Sequence, residues 1–347
     1  MLGFSESNLQ QIVVHKVGNK YKNENIYCSK EILKVDDEIK TLLSTYFLTP
    51  FKSDEYFQFY HDSDLNLNEV YHYVTKIFDD SDMIYDQSVN LAKYLYEKST
   101  HPNIKGGEFY TVFFKDISFN NELVDAVGLF KSETRDTYLK VYPTKNNFII
   151  ESEQGIDIKK LDKGCLILNT EREKGYVVTT VDKSSKGEDA RFWIDDFLKI
   201  RQREDDYYQT ENVMKMYKDF VTKELPAEYE VAKADQVDLI NKSKKFFKET
   251  DNFQLEDFSE KVFEDKNLID SFNNYKKTYE LEHELQLSDE FQISGSAVKK
   301  NSRVYKSVIK LDKNFHIYVH GNREYITKGY DEKTGMNYYQ VFFKEEK

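Results

Sequence analysis

A series of short apolar segments between residues 109 and 181 constrains the fold more than any other feature of the chain. Each segment has strand length and is separated from the next by turn residues. Strands spaced this closely pair antiparallel, because parallel neighbours need long crossover connections. The series therefore predicts a largely antiparallel sheet built from residues 109–115, 124–131, 137–142, 148–151, 165–169 and 176–181.

The residues before this series combine strand and helix patterns. Residues 12–17 and 25–28 have the β-branched, apolar character of strands. Asp36 is a suitable N-cap for a helix that Pro50 would stop, and further helices are indicated around residues 69–78 and 84–95 by apolar spacing of three and four. Helices packed on a mixed or antiparallel sheet give an α+β domain, which we expect to span residues 1–188.

From residue 189 onward the spacing of apolar residues becomes helical, as in the stripe formed by Trp193, Phe197 and Ile200. Between Glu204 and Glu290 the chain carries 23 acidic and 12 basic residues. Because the apolar stripes persist through this stretch, it predicts an acidic, amphipathic helical region over residues 189–290 rather than a disordered tail.

The final region, residues 291–347, returns to strand patterns and reverses the sign of the charge. Four segments, at 302–311, 315–319, 324–327 and 337–343, predict a C-terminal antiparallel β meander. The region holds eleven Lys and Arg against six Asp and Glu, a net charge of +5 in a chain whose total is −12. Charge segregated in this way indicates that one end of the protein meets a polyanion.

Composition excludes several classes of protein. A mean hydropathy of −0.72 with 32% charged residues does not suit an integral membrane protein. Residues 1–11 lack the basic and apolar parts of a secretory signal, so a cytoplasmic location is expected. Cys28 and Cys165 are isolated in the sequence, which suggests neither a disulfide framework nor a zinc site.

Several sequence blocks occur in order over nearly the whole chain. They are residues 12–17, Gly106-Gly107 with the strand 110–114, residues 126–131, residues 155–158, residues 191–198 and the segment around Gly295. Together they resemble the bacterial nucleoid-associated protein family of the NdpA type. The resemblance implies a cytoplasmic protein of the bacterial nucleoid that is not an enzyme. It supplies no agreed motif of DNA-contacting residues, so no site residue is taken from it.

The candidate DNA-binding residues are therefore chosen by charge. Six cations occur within fifteen residues of the final region beside a single acid, Asp312, and Arg323 follows them. Such cations would neutralise backbone phosphates and make binding salt-dependent. The alternative is a sheet edge that lysines protect against aggregation. The candidates are Lys299, Lys300, Arg303, Lys306, Lys310, Lys313 and Arg323.

A second basic set lies on the helix predicted around residues 240–247. Lys244 and Lys248 are four residues apart, where like charges repel unless an anion compensates them. A secondary DNA contact is one interpretation, and a solvated helix face is the other, since acidic residues are close in sequence. The set is Lys242, Lys244, Lys245 and Lys248.

Enzymatic signals are weak. The pairs Asp195-Asp196 and Asp205-Asp206 suggest a two-metal nuclease, but adjacent residues on a helix point in different directions. His316 and His320 would lie about 13 Å apart along a strand, too far to share a metal ion. The glycines at 106 and 107 stand in no nucleotide-binding motif. We therefore expect no catalytic residues, no metal and no cofactor.

The sequence as a whole predicts a non-enzymatic, nucleoid-associated protein that binds double-stranded DNA mainly through backbone phosphates. The alternative is a protein-interaction adaptor that uses its acidic helices without touching DNA. A basic or chromosome-associated protein is the expected kind of protein partner, and no membrane partner is expected. A homodimer is an open expectation, because two copies of the basic region would raise avidity.

Overall fold

A computed structural model describes residues 2–182, 192–302, 305, 308–319 and 323–345, and the structural statements below concern these residues. They divide into two compact units, Met1–Arg203 and Glu204–Lys347. The finer division of the chain at residues 188 and 290 stays a prediction. No helix in the described ranges has the length and apolar character needed to cross a membrane.

The first unit is built on a nine-stranded sheet in which all neighbouring strands are antiparallel. Its strands are β1 (Leu2–Gly3), β2 (Asn8–Val17), β3 (Ile26–Cys28), β4 (Phe57–Phe59), β5 (Gly107–Phe119), β6 (Glu122–Ser132), β9 (Lys163–Leu168), β10 (Val177–Asp182) and β11 (Ile200–Gln202), with β7 (Asp136–Pro143) and β8 (Phe148–Gly155) outside this sheet. The strand order is β11-β4-β10-β9-β6-β5-β2-β3, and β1 pairs with the far end of β5. This confirms the predicted α+β class and antiparallel pairing.

Helices cover both faces of the sheet. Helix α1 (Asp37–Leu48) lies on one face, where Phe47 stacks on Phe130 with ring centroids 4.2 Å apart. Helices α2 (Glu69–Asp79) and α3 (Ile84–Lys98) and the π-helical segment Phe192–Leu198 cover the other face.

The predicted cap of α1 is confirmed. The Asp36 carboxylate accepts a hydrogen bond from the Ile39 amide at 2.8 Å, and the helix ends at Leu48, just before Pro50. The predicted helical stripe of α3 is also buried, including Leu91, Ala92 and Leu95.

Gly107 shows how closely β5 and β6 approach each other at one end of the sheet. A methyl group at this position would lie 2.0 Å from the Ser132 carbonyl oxygen, so any larger side chain forces the strands apart. Gly107 therefore allows β5 and β6 to pair at this end of the sheet.

Two buried lysines face each other across β6 and β9 at this same end. Lys131 donates to the Glu133 carboxylate at 2.7 Å and to the Lys105 carbonyl at 2.5 Å. Lys163 donates to both oxygens of Asp182, at 2.9 and 3.0 Å. Burial lowers the pKa of Lys131, and the neighbouring Glu133 carboxylate works against that shift. Each buried charge thus has a carboxylate partner, without which its burial would be strongly unfavourable.

Strands β7 and β8 form a separate hairpin, called the arm here (residues 136–155). Its register runs from Asp136 opposite Gly155 to Pro143 opposite Phe148. Its turn is closed by Thr144, whose amide and hydroxyl both donate to the Asn147 carbonyl, at 2.7 and 2.8 Å. The strand predictions here are confirmed, but these two strands pair only with each other and do not join the main sheet.

The second unit is mainly helical around an aromatic core that includes Tyr217, Phe220, Phe258 and Phe272. The short strands β12 (Asn252–Gln254) and β13 (Glu290–Gln292) pair within it. Its helices are α4 (Asp206–Asp219), continued by the π-helical segment Phe220–Glu224, α5 (Leu225–Glu228), α6 (Lys233–Glu249), α7 (Leu255–Phe263), α8 (Lys266–Glu282) and α9 (Gly295–Ser302).

The C-terminal β region consists of two antiparallel hairpins. They are β14 (Val308–Leu311) with β15 (Phe315–Tyr318), and β16 (Ile326–Asp331) with β17 (Met336–Val341). Of the strand expected over residues 302–311, Val308–Leu311 forms β14 and Ser302 is the last residue of α9, while residues 303, 304, 306 and 307 lie outside the described residues. Buried positions at Ala297, Val298 and Asn301 follow the helical spacing of α9.

We predict that the neutral state of His15 makes the first unit sensitive to acid. The His15 ring lies in β2, where Nδ1 accepts from the Ser29 amide at 3.0 Å and Nε2 lies 3.0 Å from the Ser88 hydroxyl. Burial lowers the pKa of His15 to about 4 from 6.5. The unfolded chain thus binds a proton between these values that the folded chain does not. The free energy of unfolding should therefore fall by up to about 3 kcal/mol as the pH drops from 6.5 to 4.

Denaturant titration followed by the fluorescence of Trp193 measures this effect, because the single Trp of the chain is buried in the same unit. His15→Gln is the control, since it removes the titrating group while retaining a polar side chain. The difference in unfolding free energy between the two proteins should shrink as the pH falls from 7 to 4. A difference that stays constant over this range would show that His15 does not titrate as inferred.

Candidate nucleic-acid interface

The predicted cations of the final region lie on three different elements. Lys299 and Lys300 belong to α9, Lys310 belongs to β14, and Lys313 lies in the turn that follows. Arg323 begins a short 3₁₀ turn ahead of β16. Arg303 and Lys306 lie outside the described residues. The described cations thus belong to a helix, to the β14–β15 hairpin and to the turn ahead of β16, and whether they contact DNA stays a prediction.

The β14–β15 hairpin has two chemically different faces. Ile309 and Ile317 are opposite each other in register and pack with Ala234 and Val237 of α6. Val319, the residue after β15, is held to the same helix by Asn241, whose side-chain amide donates to the Val319 carbonyl at 3.1 Å. One face of the hairpin is thus fixed on α6, and the alternation of side chains along a strand turns the other face outward.

The outward face of this hairpin is basic and aromatic. Lys310 stands directly opposite His316, and Tyr318 follows on the same face with 64% of its surface exposed. Lys313 is exposed in the turn, while the Asp312 carboxylate accepts a hydrogen bond from the Asn314 amide at 2.8 Å. Within the described part of the chain, neither Lys310 nor Lys313 forms an ion pair. Their charges are therefore available to an external anion.

Lys300 has a structural role that its sequence does not reveal. Its ammonium lies 3.2 Å from the Glu211 carboxylate on α4 and 5.4 Å from the centre of the Tyr207 ring. Burial acts to raise the pKa of Glu211, but Lys215 and Lys300 outweigh it and hold that pKa below its ordinary value. Much of the charge of Lys300 thus compensates a buried carboxylate.

Arg323 joins its hairpin to α6. Its Nε donates to Asp235 at 2.5 Å, and one of its terminal nitrogens donates to the Ile326 carbonyl. Asp235 also accepts a hydrogen bond from the Ala232 amide at the start of the helix, at 3.1 Å. A guanidinium held at both ends in this way is poorly placed to leave for a phosphate.

The second basic set is mixed. Lys242 pairs with Glu264 at 2.9 Å and lies 3.4 Å from Asp238, and Lys245 is 4.0 Å from Glu249. Lys244 and Lys248 have no ion pair among the residues that the structure describes. These contacts favour a solvated helix face for Lys242 and Lys245 and leave Lys244 and Lys248 as secondary candidates.

The β16–β17 hairpin adds residues that the charge argument did not single out. Lys328 and Lys333 are exposed, and Tyr330 exposes 60% of its surface. The signal that would have found them is the interleaving of tyrosines with lysines in the final region, a pattern typical of nucleic-acid surfaces.

The acidic pairs considered for catalysis include residues with structural roles. Asp205 caps α4 by accepting from the Tyr208 amide at 3.1 Å, and Asp206 accepts from the Gln292 amide at 3.3 Å. Within the described ranges, no group of three or more His, Cys, Asp or Glu side chains is arranged to hold a metal ion. His320, one of the two histidines considered, lies outside those ranges.

A family model described as nucleoid-associated protein YejK matches residues 13–336, which covers both compact units. No curated protein matches the chain.

We predict that Arg323→Ala destabilises the β16–β17 hairpin and has a smaller effect on DNA affinity. Loss of the partly exposed pair with Asp235 should lower the stability of the hairpin on α6 by roughly 0.5–1 kcal/mol. Hydrogen exchange of the β16 amides measures this loss. Lys328→Ala is the matched control, because it removes one cation from the same hairpin, and Lys328 forms no ion pair with the residues that the structure describes. Equal exchange in the two variants would refute the anchoring role of Arg323.

Proposed function

The chain belongs to the nucleoid-associated protein YejK family, and on that premise we propose that it binds double-stranded DNA mainly through backbone phosphates. The exposed lysines of the final region make the contact. The family supports a non-enzymatic, nucleoid-related role in bacteria. We place the protein at the nucleoid in the cytoplasm, where its DNA contact is largely independent of sequence.

The outward face of the β14–β15 hairpin is the observation that carries this proposal. It presents Lys310 and Lys313 on an element that α6 holds in place, and Tyr318 lies beside them. Lysine ammonium groups act on phosphates as point charges and carry no base specificity by themselves. A short basic hairpin of this kind suits contact with the DNA backbone.

The charge of the rest of the chain restricts how DNA approaches. Residues 1–290 carry a net charge of −17, which repels a duplex from most of the surface. Binding is therefore confined to one region, and each copy offers few free cations. We include a homodimer in the proposal, because two copies on one duplex gain avidity without any new type of contact.

A second candidate function rests on a cleft in the helical unit. The cleft, of about 1120 Å³, is lined by α7 and α8 and by six carboxylates, with fewer lysines among them. Charge of this sign suits a basic protein segment. The protein would then act as an adaptor that recruits a basic, chromosome-associated partner. The carboxylates are Glu256, Glu260, Glu264, Asp270, Asp289 and Glu290.

We predict that replacing Lys310 and Lys313 together by alanine weakens duplex binding and flattens its salt dependence. Each lost phosphate contact should reduce the slope of log K against log salt by about 0.9, hence by roughly two for the pair. At 0.1 M salt the affinity should fall by at least about tenfold. Fluorescence anisotropy with a short labelled duplex, measured from 0.05 to 0.3 M salt, gives both quantities.

The matched control replaces Lys266 and Lys277, two exposed lysines that line the acidic cleft. It changes the net charge by the same amount at a different place, so it should leave the slope unchanged. Equal effects of the two double variants would show that only net charge matters and would remove the hairpin from the proposal. Absence of duplex binding by the unmodified chain would leave the adaptor as the better function.

A further inference from the structure

The arm exposes an apolar face that the first unit does not cover. Four side chains on this face each expose more than half of their surface: Leu139 (68%), Val141 (56%), Phe148 (64%) and Ile150 (64%). The register places Val141 opposite Ile150 and Pro143 opposite Phe148, so these residues form one continuous patch. An isolated two-stranded hairpin is marginally stable in water, and an uncovered apolar face makes it less so.

The two faces of the arm differ sharply in character. On the opposite face the Tyr138 hydroxyl donates to Glu153 at 2.7 Å, and Lys140 forms an ion pair with the same carboxylate. The apolar face carries no charged side chain at all. Its complete set is Thr137, Leu139, Val141, Pro143, Phe148, Ile150, Ser152 and Gln154.

The root of the arm is firmly attached to the main sheet. The Asp162 carboxylate accepts hydrogen bonds from the amides of Glu133 and Thr134 at 2.7 and 2.9 Å, and from the Thr134 hydroxyl at 2.8 Å. Arg135 forms an ion pair with Glu108 of β5, and Lys160 lies 2.9 Å from Asp136. These contacts present the apolar face in a fixed position, as an interface requires.

We propose that the apolar face of the arm is the homodimer interface, where it packs against the same face of a second copy of this chain. The inference rests on the homodimer included in the proposed function and names the surface that forms it. Two identical arms meet across a two-fold axis, so that each apolar patch covers the other.

The net charge of the chain favours a second copy of it as the partner that covers the apolar face of the arm. A chain with a net charge of −12 repels its own copy over most of its surface. The uncharged face of the arm lets two copies meet without placing like charges against each other. The patch exposes on the order of 500 Å² of side chain per arm. Two such patches bury on the order of 1,000 Å², which reaches the lower bound for a specific interface.

The charged residues of the arm disfavour DNA as the partner that binds its apolar face. Minor-groove proteins do insert apolar side chains between bases, but they also neutralise the neighbouring phosphates. The arm carries three carboxylates, Asp136, Glu151 and Glu153, against two lysines, and Lys140 is already paired with Glu153. A net negative hairpin of this kind is repelled by phosphate.

The test compares Ile150→Lys with Ile149→Lys in the full chain. These adjacent residues of β8 lie on opposite faces of the arm with similar exposure, 64% and 50%. Sedimentation equilibrium from about 1 to 100 μM gives the dimer dissociation constant. We expect dimers for the unmodified chain and Ile149→Lys. In Ile150→Lys the dissociation constant should rise on the order of 100-fold, because a charge is buried twice across the two-fold axis.

Hydrogen exchange of the unmodified chain provides a second readout that needs no variant. Protection of the arm amides should increase with protein concentration, while protection of the main sheet should not change. An unmodified chain that stays monomeric up to 100 μM would overturn the proposal, and so would dimers of equal strength in all three proteins. In a monomeric chain, a loss of duplex affinity on Ile150→Lys but not on Ile149→Lys would overturn the proposal and assign the apolar face to DNA instead.

Duplex binding measured in parallel separates this inference from the proposed function. Loss of the dimer in Ile150→Lys, in a chain that never binds DNA, would support the interface and refute the DNA-binding function. Salt-dependent DNA binding by a chain that stays monomeric in all three proteins would support the DNA-binding function and refute the interface.

Discussion

Burial of the main sheet on both faces is the constraint on which the first unit depends. Strand β9 is buried along its whole length, and β6 is buried over its second half. An antiparallel sheet with one wet face would alternate apolar and polar residues, whereas one covered on both faces must be apolar almost throughout. This explains the continuous apolar runs of the sequence. It also places the two buried lysines, Lys131 and Lys163, at strand ends, where carboxylate partners are within reach.

The buried lysines show how that requirement shapes the rest of the unit. Lys131 lies at the end of β6 and needs the carboxylate of Glu133, which belongs to the segment leading into the arm. The amide of Glu133 is in turn held by Asp162, in the segment that returns from the arm. The contacts that neutralise a buried charge therefore also fix the root of the arm. The same ion pair and hydrogen bonds stabilise the end of the sheet and the root of the arm. A substitution that breaks one of these contacts should therefore destabilise both.

The sequence predicted the caps, helices and strands that depend on residues close together in the chain. It did not predict the pairings that depend on contacts between residues far apart. The Asp36 cap, the helices at 69–79 and 84–98 and most strand positions follow from spacing within a few residues. The helix at Gly295–Ser302 was not predicted, because so short a segment carries too few apolar residues to show a helical period. The separation of the arm from the sheet and the pairing of Arg323 with Asp235 depend on residues far apart in the chain. No local pattern encodes such contacts.

The net charge of the final region therefore overstates what it offers to an anion. Lys300 compensates Glu211 and Arg323 compensates Asp235, so part of the basic charge is consumed in attaching the final region to the acidic helices around it. Lys310 and Lys313 remain outward on the β14–β15 hairpin. Two or three phosphate contacts give weak binding at physiological salt, because each is screened and each competes with counterions. The proposed DNA contact would gain affinity if several copies of the hairpin met one duplex, and this is the physical reason for proposing a dimer.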